Sequence, residues 1–261
     1  MRTTLDNGAQ YTLPLIDILE PTGNYYVNPL VGEVIRIEFL NNIHCVATGK
    51  RIKKTFGEGL SYDAWLSSPL ASPSIVRPEL SRIHEGVALR DYEWEMANHY
   101  QPHFVYLSKT SDIKVGVTRS SNVPSRWIDQ GATEAIIIAE TPYRQLAGVI
   151  EVALKEHFTD KTSWQAMLKN SGTLDSILVK KEEALERLGI DYESFFYDDD
   201  NITQITYPVL EYPKKVTSLK LDTKPIYEGK LMGIKGQYFI FEDGTVFNVR
   251  SHSGYQVSIS F

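Results

Sequence analysis

The chain has 261 residues, 42% apolar and 23% charged, the composition of an ordinary soluble protein with ample material for a core. Cys45 is the only cysteine, which excludes an intrachain disulfide and a cysteine-built zinc site. The net charge of −6 argues against a uniformly nucleic-acid-binding surface.

Charge is unevenly placed. The net is 0 over residues 1–60, −3 over 61–100, +2 over 101–131, −7 over 132–200 and +2 over 201–261. No apolar run approaches about 18 residues, and the opening MRTTLDNGAQ lacks signal-peptide character. The expectation is a cytoplasmic protein with no membrane partner.

In chain order, Tyr11–Ile16 reads as a strand and Val34–Leu40 as another. Asn41-Asn42 offers a turn into a third at Ile43–Thr48. Lys50, Arg51, Lys53 and Lys54 then place four cations in five positions. They read either as a phosphate-contacting arm or as a solvated strand edge protected by charge. Residues 57–100 are rich in Ser and Pro with little periodicity; Tyr62, Trp65, Leu66, Ile75 and Ile83 are the expected packing anchors. His84 and His99 suggest either a remnant metal site or ordinary surface or hydrogen-bonded imidazoles.

His103–Leu107 and Ile113–Thr118, joined by Ser108–Asp112, read as an antiparallel hairpin. A helix follows, capped by Ser121 or Asn122 and stopped at Gly131. Ala135–Ala139 is a strand covered on both faces. Tyr143–His157 is a helix with Leu146, Val149, Ile150, Ala153 and Leu154 on its buried stripe and Arg144, Gly148, Glu151 and Lys155 on another face. Helices are expected over Asp160–Asn170, capped by Thr162, and over Thr173–Leu188, whose Lys180–Arg187 face reads as solvated. Asp198-Asp199-Asp200 is an acidic turn or a cation chelator.

From Thr203 the pattern has period two, with strands at Thr203–Val209, Lys215–Leu221, Ile226–Ile234, Gln237–Phe241, Thr245–Arg250 and Tyr255–Ser260. Asp243-Gly244 is a strong hairpin signal. Residues 1–56 and 203–261 are expected to form one discontinuous β module, a small barrel or sandwich, although two separate modules also suit the pattern. Tyr238, Phe239 and Tyr255, with Lys235 and Arg250, could stack bases or could be sheet core.

Phe104-Val105-Tyr106, Lys114-Val115-Gly116-Val117-Thr118, Arg126 and Glu151, in the order hairpin–helix–strand–helix, resemble the GIY-YIG endonuclease superfamily, nearest its phage-type branch. Arg126–Ala132, Asp160–Trp164 and Gly233–Tyr238 extend the likeness to an uncharacterised bacterial family that contains such a domain. The second motif has Lys114 where most of these nucleases carry Tyr, and the first has Phe104 in place of Gly.

The resemblance implies an α+β fold. A GIY-YIG-like α/β domain with trailing helices (101–202) sits between β segments, behind a 57–100 insert that is zinc-finger-like in relatives. Here Ser61, Ala64, Ser74 and Ser81 occupy the aligned cysteine positions, so no zinc is expected. It also implies Glu151 as ligand to Mg²⁺ or Mn²⁺, Arg126 holding phosphoryl oxygens, and Tyr106, assisted by Lys114, orienting or deprotonating water. Lys50, Arg51, Lys53, Lys54, Arg119 and Lys235 are the expected nucleic-acid contacts. The bland alternatives are Tyr106 packed across the hairpin, Glu151 paired with Lys155, and Arg126 paired with Asp129 or Asp160. The functional expectation is a nucleic-acid-binding protein, a hydrolase of phosphodiesters if the site is complete. Otherwise it is an inactive nucleic-acid-binding or protein-interaction scaffold.

Overall fold

A computed structural model describes residues 1–17, 19–158 and 162–261. Its first third contains β1 (Arg2–Leu5), β2 (Ala9–Asp17), β3 (Glu20–Tyr26), β4 (Val34–His44) and β5 (Arg51–Ile52), then α1 (Tyr62–Ser67), α2 (Pro73–Val76) and α3 (Tyr92–His99). The middle holds β6 (His103–Lys109), β7 (Ile113–Arg119), α4 (Ser125–Asp129), β8 (Glu134–Thr141), α5 (Arg144–Lys155), α6 (Trp164–Leu168) and α7 (Ile177–Leu188). The last part is β9 (Thr203–Gln204), β10 (Thr217–Ser218), β11 (Ile226–Lys235), β12 (Tyr238–Phe241), β13 (Thr245–Asn248) and β14 (Tyr255–Ser260). The protein is mixed α+β. Residues 1–66, 128–131 and 206–261 form one compact unit, and residues 67–127 and 132–205 a second.

The first unit has a three-stranded antiparallel sheet, β1-β2-β3, and a larger sheet in the order β10-β13-β12-β11-β4-β14, with β5 also on β4. β4 organises the larger sheet. Its Val34–Glu38 half pairs with Ile226–Lys230 of β11, and its other edge runs against β14 from Arg36↔Ser260 to Ile43↔Tyr255. Ile35 and Ile37 are fully buried on one face of this strand. The turn expected at Asn41-Asn42 does not reverse the chain. Asn41 takes a left-handed conformation (φ 58°) inside a continuous strand, at an irregularity in the pairing with β14 between Phe39↔Val257 and Ile43↔Tyr255. Asp243-Gly244 does turn the chain, with Gly244 at φ 79° and β12 antiparallel to β13. Beyond Gln204, the expected Thr203–Val209 and Lys215–Leu221 strands shrink to two residues each.

Because β14, among the described residues, pairs only with β4, and β11 lies between β4 and β12, the C-terminal segment cannot complete its sheet alone. Residues 201–261 expressed alone are expected to show little cooperative unfolding by circular dichroism. A stable, cooperatively melting fragment would contradict this.

In the second unit, β6 is central in the sheet β7-β6-β8-β9. Val105, Leu107, Ile113 and Val115 face α5 and α7, packing with Ala147, Ile150, Leu154, Ile177 and Ala184. The buried stripe of α5 differs from the expected one. Ala147, Gly148, Ile150, Glu151 and Leu154 are buried while Ala153 is exposed, because a second layer covers the Gly148–Glu151 side. α6 is capped by Ser163 rather than Thr162; Asp160, expected to open that helix, lies outside the described residues.

Candidate functional site

The four residues expected to act together do not share one surface. Tyr106 is fully buried, set against Gly116 across the hairpin and edge-on to Trp127 at 5.9 Å. A Cβ at position 116 would lie 2.7 Å from the Tyr106 hydroxyl. Strand alternation puts Tyr106 and Lys114 on the face opposite Val105, Leu107, Ile113 and Val115, and so opposite the face that α5 covers. A sealed phenol is poorly placed to orient water, and the packing reading of Tyr106 is the one its surroundings support.

Glu151 lies elsewhere. It is 8% exposed, and Lys155 Nζ stands 3.4 Å from its Oε2. What buries it is the short helical turn Pro78–Leu80. Gly148, one helical turn back from Glu151, allows this approach, since a Cβ there would stand 2.2 Å from Glu79 N and 2.6 Å from Pro78 C. Arg144 holds the preceding segment by donating to the carbonyls of Ser74 (2.9 Å) and Ile75 (3.0 Å). Burial pushes the Glu151 carboxyl above its ordinary range, against the opposing pull of Lys155 and Arg144. Burial likewise lowers Arg144 to about 10. Arg119 and Arg126 both act electrostatically on Arg144, so three guanidinium groups share this neighbourhood.

A hydrated Mg²⁺ or Mn²⁺ does not fit at Glu151 as it stands. Such an ion keeps several waters, whereas this carboxylate is nearly buried and faces an ammonium. Among the described residues no three His, Cys, Asp or Glu side chains are grouped to hold a metal ion. Asp129, a suggested partner for Arg126, accepts instead from Thr3 (2.9 Å) and Gln237 (2.8 Å). Asp160, the other suggestion, lies outside the described residues.

The positions aligned with cysteines fall into two places. In the first unit, Ser61 N donates to Cys45 Sγ at 3.2 Å, and Ser61 Oγ accepts from Ala64 N at 3.2 Å. Burial raises the Cys45 thiol, but hydrogen bonds from Thr48 and Ser61 outweigh it and bring the pKa to about 6. Ser74 and Ser81 are buried in the second unit. His84 stacks on Tyr143 at 4.6 Å. His99 is neither at the surface nor hydrogen-bonded through Nδ1, and burial lowers it to about 3.

The six expected nucleic-acid contacts divide sharply. Arg119 is half-buried and committed to Asn98 and Asn122. Lys235 is fully buried, with Nζ 5.2 Å and 5.1 Å from the ring centres of Tyr207 and Tyr212, and burial lowers it to about 8. Phe239, read as a possible stacking residue, is core, and Arg250 pairs with Glu58 at 3.1 Å. By contrast Lys50, Arg51, Lys53 and Lys54 are all exposed on and beside β5, and none has a carboxylate within ion-pair distance among the described residues.

The buried Lys235 has a measurable signature. Its folded pKa lies below the unfolded value, so the unfolded chain binds more protons between about pH 8 and pH 10.5, and stability must rise with pH there. Between pH 8 and pH 10 the wild type is expected to gain about 2 kcal/mol relative to Lys235→Met in urea unfolding. Parallel pH profiles would show that the ammonium is solvated.

These features describe a mixed α+β protein with a covered carboxylate in one unit and an uncompensated basic strand edge in the other. The chain belongs to the family described as "Protein of unknown function (DUF2797)", whose model matches residues 32–257. Neither the curated proteins nor the solved structures gave a match. No helix among the described residues is long and apolar enough to cross a membrane.

Proposed function

We propose that the chain is a nucleic-acid-binding protein in which residues 67–127 and 132–205 are a GIY-YIG-like domain serving as a platform rather than a nuclease. One observation carries the binding: the row Lys50, Arg51, Lys53 and Lys54 is exposed and has no carboxylate partner among the described residues. Four clustered cations left unneutralised by the protein are matched by phosphates, whose binding releases counterions. The order hairpin, α4 with Arg126, β8, then α5 with Glu151 supports the domain reading. The covered Glu151, facing Lys155, is the reason the reading stops at binding.

The test is a panel of labelled single- and double-stranded RNA and DNA, incubated with Mg²⁺ or Mn²⁺ and followed for both retention and cleavage. Wild type should bind in a salt-sensitive way without cutting. Replacing all four cations with Gln should lower the slope of log affinity against log salt by about 3. Absence of salt-sensitive binding overturns the proposal. Metal-dependent cleavage that Glu151→Gln abolishes would replace it with hydrolysis.

A further inference from the structure

Beside the basic row stand three rings. Phe56 lies 5.1 Å from Tyr62 and 6.3 Å from Trp65, and the planes of Tyr62 and Trp65 are within 26° of each other. Tyr62 is 52% exposed and Trp65 40%, although both were expected to be packing anchors. The geometry is held from below. Phe56 and Leu60 exchange both backbone hydrogen bonds (2.8 and 3.0 Å), and Ser61 O accepts from Trp65 N at 2.8 Å. The Trp65 ring rests on Gly57, where a Cβ would be 3.4 Å from its Cδ1. Lys54 Nζ sits 5.0 Å from the Phe56 ring centre, so the charges and rings form one continuous surface. The neighbouring acids do not cancel it: Glu58 is paired with Arg250, and Asp63 is a single exposed carboxylate already engaged.

We infer that Phe56, Tyr62 and Trp65 form a base-stacking platform, and that with the adjacent basic row they bind single-stranded nucleic acid. This rests on the nucleic-acid reading above and adds the strand form. Exposed ring faces reward bases whose own faces are free, which single strands offer and a duplex does not. Phosphates linking successive bases would run along β5, which pairs with β4 at the margin of the sheet. Both RNA and DNA present the chemistry of an apolar base face and a phosphate, and the test separates them.

Fluorescence anisotropy on the full chain would use labelled oligo-dT and oligo-U of about 15 nucleotides, plus a duplex, at about 50 and 200 mM salt. Single strands should bind at least tenfold more tightly than the duplex. Trp65→Ala and Tyr62→Ala should each weaken single-strand binding by about tenfold at both salts, with the salt slope unchanged. Lys53→Gln with Lys54→Gln should instead lower that slope by about 1.4. Trp65→Phe, which keeps a ring, should retain most of the affinity, and thermal melts matching wild type exclude misfolding as the cause. Stronger binding of oligo-U or oligo-dT assigns RNA or DNA. Single-strand binding unmoved by Trp65→Ala and Tyr62→Ala, or a duplex bound as tightly as single strands, overturns the platform while the nucleic-acid reading stands. No salt-sensitive binding of any of the three removes both.

Discussion

Gly148→Val is expected to destabilise the protein by about 3 kcal/mol and to unfasten the segment that covers Glu151. An ordinary helix glycine behaves the other way, since a side chain in its place favours the helix by up to about 1 kcal/mol. Here the new Cβ would meet the backbone of Pro78 and Glu79 at 2.2–2.6 Å, and backbone cannot rotate aside as a flexible side chain can. Either the short turn moves off α5 or α5 shifts against the sheet, and overpacking of this kind typically costs about 1–3 kcal/mol. Hydrogen exchange distinguishes the two. Faster exchange confined to residues 72–86 means the segment has lifted, while a loss spread through β6 and β8 means that the helix has shifted. Gly148→Ala should behave in the same direction with a smaller cost. Stabilisation by Gly148→Ala would show that the segment does not press on the helix.

That close approach also explains why the site is hard to read from residue types. Arg144, Gly148, Glu151 and Lys155 do lie on a face apart from the apolar stripe, as helical spacing requires, and a charged face is ordinarily a solvated one. It is buried because residues about 70 positions earlier fold over it, held by Arg144 at Ser74 and Ile75. Nothing in the periodicity of α5 reveals a partner that remote, beyond the presence of Gly148 itself.

The same limit runs through the chain. The hairpin β6–β7 and the Asp243-Gly244 turn were legible because strand alternation and turn chemistry are local. Val34–Leu40 of β4 was legible too, but its run on to His44 was not, because the strand beyond Asn41 pairs with β14, more than 200 residues later. Two-residue strands such as β9 and β10 carry too little pattern to delimit. Exposure departs from residue type in both directions. Tyr62 and Trp65 looked like core and are exposed, while Lys235 looked like a surface contact and is enclosed by tyrosines. In each case residue type gave the average environment, and the tertiary fold decided the particular one.

Lys181 belongs to the Lys180–Arg187 face expected to be solvated but is buried instead, and its removal is expected to cost about 2–4 kcal/mol. The residue falls in step with Ile177, Ala184 and Leu188, the other buried positions of α7, so helical periodicity puts it on the covered stripe even though its neighbours are charged. Its partner is the acidic turn. Nζ donates to Tyr197 O at 3.1 Å, Asp199 O at 2.8 Å and Asp200 Oδ1 at 2.8 Å, which uses all three ammonium donors. A tethered cation thus occupies the position that an acidic triplet suggests for a metal. Lys181→Met keeps the stem but leaves two carbonyls without their donor, and hydrogen bonds to a charged group contribute about 1.5–3 kcal/mol each. The loss should spread to the edge of β8, because Tyr197 N donates to Ile138 O at 3.0 Å and its ring packs edge-on against Phe104. Asp200→Asn should cost under about 1 kcal/mol, since that carboxylate is 79% exposed and water screens the pair. Urea unfolding of the two variants, with exchange at the Tyr197 amide, measures the asymmetry. Equal losses would mean that the ion pair, not the carbonyl contacts, holds the turn, and a Lys181→Met variant as stable as wild type would mean that the ammonium is not anchored at all.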